Sequence, residues 1–422
     1  MSDSRAADRL PSIAAALTAA ARRFGTPLFV TDLASLDAAI SELRSAFPDP
    51  WLRHYSLKAN DVIAIVRLLA ERGLDANVVS RGEWAIARAA GVPNHRTTLE
   101  GVGKTPRDLR AAVDAAVRGD PLRWVSIESV DEAEDLAGLT ARMRPARPVD
   151  VLFRLNPAVT PETHRGLAVG AGHSKFGLTE SEISEALARV LGAGGAIVPR
   201  GIHVHVGSQL GAIDAWRDAV RRSLAVLGLL RGSVPTLDTL DVGGGFPVAP
   251  IAEPAPDPTR FAAELPSLLA AIPTDRRPDR LAIEPGRFLV ARSGYLVARV
   301  LHARDRDGPQ VILDAGMTEL IRPALYGARH PVVALTVAGR PAPVDATAIP
   351  TRVEGPICES TDSLGVHDLP DLRRGDLVAI RDAGAYAASF ASTYNGRPRP
   401  PQVVLELTGR PALVRPRGRL PG

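Results

Sequence analysis

From about residue 51 to residue 285, short apolar runs alternate with stretches in which apolar residues recur every three to four positions. The short runs read as strands: WLRHYSL (51–57), ANVVS (76–80), TTLEG (97–101), WVSIES (124–129), VDVLFRLN (149–156), GIHVHVGS (201–208), LDTLDVGG (237–244) and LAIEPG (281–286). Between them, DVIAIVRLLAERG (61–73) and DAWRDAVRRSLAVLGLLRG (214–232) show the helical period clearly. Eight such units predict an α/β protein with a closed parallel (β/α)8 TIM-like barrel. An open doubly wound sheet would more typically show about five or six strands.

Beyond residue 286 the texture changes. YLVARVLHA, PQVILDAG, HPVVALTV, DLVAIRDAG and PQVVLEL are β-rich runs separated by Gly, Pro and Asp. They predict a C-terminal, mostly antiparallel β domain over 287–422, following a barrel over 46–286. TPLFVTDL (26–33) comes too early for a barrel strand, so residues 1–45 are expected to join the β domain and bring the termini together. APIAEPAPDP (249–258) reads as a surface loop, and RPALVRPRGRLPG (410–422) as a tail that frays at its end.

Composition narrows the function classes. A net charge of +4 is spread among interspersed acids and bases, and only 4% of residues are aromatic, so a nucleic-acid platform is not expected. No apolar run approaches a membrane span, the N-terminus is polar rather than signal-like, and the single Cys358 fits a reducing compartment. The cytoplasm is the expected location, with neither membrane nor nucleic acid as partner.

Lysine usage sharpens the picture. Only Lys58, Lys104 and Lys175 occur among 51 basic residues. Arg meets most needs for surface charge, whereas a lysine amine can lose its proton and condense with a carbonyl. Lys58 closes the first predicted barrel strand, where barrels carry their working groups. His203 and His205 alternate in the sixth, Gly243 to Gly245 end the seventh, and Glu284 and Arg287 end the eighth. A lysine there serves either a carbonyl substrate or pyridoxal phosphate. Glycines suit a phosphate, although most glycine triplets are simply turns. Glu284 would hold a proton on a pyridine nitrogen, or else pair with Arg287 at the rim. His205 is placed to lie on a cofactor ring and Ser208 to touch its phosphate, while His203 reads as a hydrogen-bonded core residue. No metal is expected.

YSLKAN, LFRLNP, TH (163–164), SKFGL (174–178), HVHVGSQ, DVGGGF and EPGR occur in the order found in the fold-type III pyridoxal-phosphate decarboxylases. DAGMTELIRPALYGARHP (314–331), GPICESTDSLG (355–365) and DAGAYAASFASTYNGRPRP (382–400) extend the resemblance, which runs from about 26 to 408 and is strongest to the diaminopimelate decarboxylase family. The resemblance implies that Lys58 holds pyridoxal phosphate covalently. Glu284 would face its ring nitrogen, and His205, Ser208, Gly243, Gly244, Gly245, Pro285, Gly286, Arg287 and Tyr386 would complete the cofactor site. It implies decarboxylation of meso-2,6-diaminopimelate to L-lysine, with Cys358 returning the proton to the α-carbon from a partner subunit of a homodimer. A thiol is small and ordinarily ionises close to neutral pH, which suits that task. Arg287, Arg322, Tyr326, Glu359 and Tyr386 would hold the substrate's distal amino-acid head, which needs both cations and an anion.

Departures from the family pattern are Asn77 in place of Asp, Arg81 in place of a glycine, Phe288 in place of Ser, and YSLKAN in place of YAVKAN. They leave open a related decarboxylase acting on another amino acid or a carrier-linked substrate, in secondary metabolism or polyamine synthesis. An amino-acid racemase shares the barrel and lysine, but Glu284 and the CES segment argue against it. A catalytically silent homologue would be expected to lose Lys58 or Cys358.

Overall fold

The computed structural model describes residues 9–172, 174–248, 255–343 and 346–419. Part of the proline-rich stretch (249–254), the last three residues of the tail and the N-terminal octet lie outside them. The chain divides into two compact units, Leu43–Gly286 and the combination of Met1–Glu42 with Arg287–Gly422.

The first strand, β1 (Leu28–Asp32), belongs to the second of these units. The other unit is a closed parallel barrel of eight strands: β2 (Leu52–Ser56), β3 (Asp75–Val78), β4 (Thr97–Leu99), β5 (Trp124–Ile127), β6 (Val149–Arg154), β7 (Ile197–His203), β8 (Thr239–Asp241) and β9 (Arg280–Ile283). β9 pairs with β2 and closes it. Five of the crossover helices start at residues that supply side-chain caps. Ser80, Ser129 and Asp257 each accept a hydrogen bond from the third residue of the following helix, and Thr105 and Thr179 form full capping boxes with Asp108 and Glu182. These caps also turn the chain sharply at the strand ends, which sets the mouth of the barrel.

Two expectations about strand ends need correction. β7 begins at Ile197, four residues earlier than predicted, because Pro199 sits at a bulge where the register with β6 shifts, and a bulge tolerates a proline that the ladder interior does not. It also ends at His203. His205 therefore stands in the loop beyond the strand rather than within it.

The second unit is a nine-stranded mixed sheet. β10 (Gly294–Asp305) is its long central strand, pairing antiparallel with β1, β11 (Pro309–Leu313) and the later Leu377–Ile380 strand. Two pairings are parallel: β1 with Gln402–Leu405, and β11 with Ile349–Glu354. The helix Leu10–Phe24 packs Leu17, Ala20 and Ala21 against Leu28, Val30, Tyr295 and Val297 on one face. Leu296, Ala298, Val311, Leu313, Val353 and Ile380 fill the core on the other. The expected tail is in part a strand, since Pro411–Arg415 pairs antiparallel with Gln402–Leu405.

Candidate active site

Side chains alternate along a strand, so one parity of each barrel strand faces the interior. At the N-terminal ends that parity is largely apolar: Leu52, Trp124, Leu152 and Ala282 pack together. Two residues further along it turns polar. His54, Asn77, Glu100, Ser126, Arg154, His203, Asp241 and Glu284 are all buried. A charged interior in a closed barrel is costly unless its groups are paired or neutral, and the pairing can be followed residue by residue.

Arg154 is tied to Glu128, its Nη1 donating to both carboxylate oxygens at 2.9 and 2.8 Å. Asn77 Nδ2 donates to Glu100 Oε2 at 3.0 Å. His203 Nδ1 shares a 2.9 Å hydrogen bond with Ser126 Oγ, and its Nε2 lies 3.4 Å from Glu284 and 3.9 Å from Glu100. Glu100, His203 and Glu284 each place one donor or acceptor atom within 4.8 Å of the others. Burial, reinforced by the neighbouring Glu284 carboxylate, pushes Glu100 up to about 8. Burial, reinforced by Asp241, raises Glu284 to about 7. His54, wholly enclosed against Trp124, is driven down to about 3 by burial and is neutral. His203 was read from the sequence as core; it is that, and it also faces the carboxylate predicted to do chemistry.

Lys58 lies in the short 3-10 turn Leu57–Ala59 that follows β2, half-buried, and close enough to act electrostatically on Glu284 and His205. Burial and the Lys58 and Arg154 cations hold His205 well below its usual range, so its ring is neutral. Its Nδ1 accepts the Gly244 N–H at 3.2 Å. The Gly243 N–H goes to Asp241 Oδ1 at 2.9 Å. Two of the three glycine amides thus make hydrogen bonds that shape the loop. Glycine is required here for closeness: a Cβ on Gly244 would meet the Glu284 carbonyl oxygen at 2.3 Å, and Gly243 adopts φ +70°. The Pro285 carbonyl accepts the Ser56 N–H at 3.1 Å, pinning the EPG loop to the end of β2. At Ser208 the backbone is held by Leu167 and by the Thr163 hydroxyl.

The second unit brings together a different set. Arg287 and Arg322 are buried, with 5% and 1% of their surface exposed. The Arg287 guanidinium lies 4.5 Å from the centre of the Tyr386 ring. Arg322 donates from Nη1 to His330 Nε2 at 2.8 Å, and since a guanidinium only donates, His330 carries its proton on Nδ1 and gives it to the Arg381 carbonyl at 3.0 Å. Burial and then the Arg287 cation lower Arg322 to about 9, so it keeps its charge at neutral pH. Among the described residues no carboxylate lies within ion-pair distance of Arg322, and its Nε has no acceptor. Asp382 offsets the Arg322 charge only from beyond ion-pair distance, and a buried guanidinium beside a second one is arranged to receive an anion.

Cys358 and Glu359 lie exposed after the Ile349–Glu354 strand. Tyr394 Oη donates to Glu359 Oε1 at 2.6 Å, and Asn395 Nδ2 approaches Cys358 Sγ at 3.9 Å. The sequence reading named the STYNGRPRP run but neither of these two residues. Two departures from the family pattern have local explanations. Arg81 reaches outward to Asp108 at 2.9 Å, and buried Phe288 packs beneath the Arg292 guanidinium. Asn77, by contrast, sits in the buried cluster itself.

Residues 33–291 match the pyridoxal-binding domain of the pyridoxal-dependent decarboxylases, and the chain belongs to that family. Several relatives within it are diaminopimelate decarboxylases, and the similar solved structures also include a lysine/ornithine decarboxylase of Vibrio vulnificus, with a TM-score of 0.75 at 26% identity over 93% of this chain and 98% of that one. Diaminopimelate decarboxylase of Deinococcus radiodurans is 37% identical over 397 residues, covering 92% of each chain. The crystal structure of diaminopimelate decarboxylase from M. jannaschii in complex with L-lysine superposes with a TM-score of 0.85 at 30% identity, covering 96% of this chain and 92% of that one. The Helicobacter pylori enzyme, also with L-lysine, gives 0.83 at 30% identity over 94% and 95%.

Proposed function

We infer that this protein is a pyridoxal-phosphate-dependent carboxy-lyase that removes CO2 from the D-configured centre of meso-2,6-diaminopimelate and leaves L-lysine. The residues present fit the cofactor. A buried carboxylate, Glu284, has an oxygen with no partner among the described residues, and a loop that admits no side chain stands beside it at Gly244. Lys58 would hold the cofactor covalently and Glu284 its ring nitrogen. His205, Ser208, Gly243 to Gly245, Pro285, Gly286, Arg287 and Tyr386 would surround the ring and phosphate. Bound there, pyridoxal phosphate supplies an electron sink for the pair left on the α-carbon when CO2 departs.

The chain's own residues do the rest. Glu284 keeps a proton facing it, neutral His205 offers a flat ring without competing for charge, and Cys358 returns a proton to the α-carbon. The observation that carries the substrate assignment is Arg322, a buried cation with no carboxylate of its own. It matches the distal carboxylate that distinguishes diaminopimelate from ornithine or lysine, with Arg287, Tyr326 and Tyr386 beside it and Glu359 accepting from the distal ammonium. The L-lysine in the two related structures is the product this reaction would yield. Cys358 is exposed, which suits delivery to a partner subunit's site in a homodimer. The lone cysteine accords with a cytoplasmic setting, and no helix among the described residues is long and apolar enough to cross a membrane.

With the cofactor supplied, CO2 is expected from meso-diaminopimelate and not from L-ornithine or L-lysine. Release from either of those at a comparable rate would overturn the assignment. Arg322→Ala should cost roughly 2 kcal/mol or more of substrate binding, about 30-fold in kcat/KM, with cofactor absorbance unchanged.

A further inference from the structure

Asn77 is a departure from the family pattern that sits inside the buried cluster. Its amide donates to Glu100, and Glu100 stands beside Glu284, so two carboxyl groups share one enclosed space. Glu100 Oε1 and Glu284 Oε1 find no other donor among the described residues. Arg154, one of the cations acting on the pair, is committed to Glu128.

We propose that Glu100 is a positioning residue that keeps its proton and donates it to Glu284, so that the pair carries a single negative charge toward the cofactor's ring nitrogen. This rests on the assignment of Glu284 as the group facing that nitrogen. Two carboxyl groups buried side by side do not both ionise readily, because burial and mutual repulsion favour one neutral form. One proton between them supplies the hydrogen bond that the two side chains are placed to share. Asn77 fits the arrangement because its amide can donate to Glu100 Oε2, whereas an ionised aspartate would only add a third negative group. The side chains facing the pair are His54 and Lys58 from the β2 side, Arg154 from β6, His203 from β7 and Asp241 from β8. His54 is neutral and Asp241 is itself raised by burial, so neither neutralises a second charge. The direction of the Glu100 shift agrees. With one proton, Glu284 is a moderated anion: it still faces a pyridinium, yet it is less prone to take the pyridinium's proton than a carboxylate crowded by a second one.

The test begins without cofactor. Infrared spectra of the wild-type apoprotein at pH 7.5 should show a protonated carboxyl band that loses the intensity of one carboxyl group in Glu100→Gln. Absence of the band in wild type, or undiminished intensity in the variant, would overturn the proposal. The wild-type measurement stands even where the variant folds poorly. A second readout is linkage. Glu100 has a folded value near 8 against an ordinary 4.5, so the folded protein holds a proton that the unfolded chain has released, and stability falls as pH rises through that window. Glu100→Gln should flatten this dependence by one proton, and an unaltered slope would contradict the proposal.

Cofactor affinity gives the third readout. Asn77→Asp should weaken pyridoxal phosphate binding by about tenfold or more through like-charge repulsion, and adding Glu100→Gln should restore it. Wild-type affinity in Asn77→Asp would count against the pair. An apoprotein that shows the Glu100 band but binds no pyridoxal phosphate would refute the function proposed above while leaving the shared proton standing.

Discussion

Lys58→Ala is expected to abolish decarboxylation of diaminopimelate, with a loss on the order of 10⁴-fold or more, the scale seen when a covalent catalytic group is removed. Of three lysines, Lys58 directly follows a barrel strand and acts on Glu284 and His205. Lys104 is fully enclosed, its Nζ 3.1 Å from Glu132 and 2.6 Å from the Gly101 carbonyl, so its amine is spent on structure. Alanine at 58 also removes a cation that favours ionised Glu284, so the ring-nitrogen partner should become harder to deprotonate. The variant should still fold, because Lys58 is only half-buried at the end of its strand. Steady-state CO2 release and the spectrum of the bound cofactor check both effects, and retained turnover would contradict the role given to Lys58.

The second large effect is expected at Cys358. Cys358→Ala should leave cofactor colour intact while slowing product formation by roughly 10²–10⁴-fold, the usual contribution of a positioned proton donor. Its exposed thiol sits beside Glu359, which Tyr394 holds through a 2.6 Å hydrogen bond. A donor on an exposed loop serves best if it acts on a neighbouring chain. Mixing Lys58→Ala with Cys358→Ala subunits should therefore restore about a quarter of the wild-type activity, since half of randomly paired dimers carry one intact composite site. Absence of any recovery after subunit exchange would show that the thiol does not act across an interface.

The barrel could be read from the sequence because each βα unit announces itself locally, through an apolar run, a capping residue and a helical period. The groups at the strand ends were also legible, as Lys58, Glu284 and the glycine triplet are unusual residues in regular places. Less visible was the polar interior. Asn77, Glu100, His203 and Glu284 come together only because the sheet closes, and the contact between Glu100 and Asn77 spans 23 positions on different strands. Period-two parity gave the one available hint, since all of them share the inward phase with Ser126 and Asp241. β7 was misplaced because Pro199 disguised its beginning. The Arg322–His330 pair spans RPALYGARH (322–330) and could have been inferred only with knowledge that both side chains are buried. Tyr394 and Asn395 approach Glu359 and Cys358 from some 35 residues away, a juxtaposition no local pattern encodes.

Attachment of vitamin B6 at one lysine is the claim on which the rest depends, and borohydride reduction followed by peptide mass analysis reads it directly. Because the chain offers only Lys58, Lys104 and Lys175, the outcome is unambiguous: a pyridoxyl-phosphate adduct on the peptide containing Lys58 is predicted. An adduct confined to either of the other two, or no adduct after saturation with the cofactor, would contradict it.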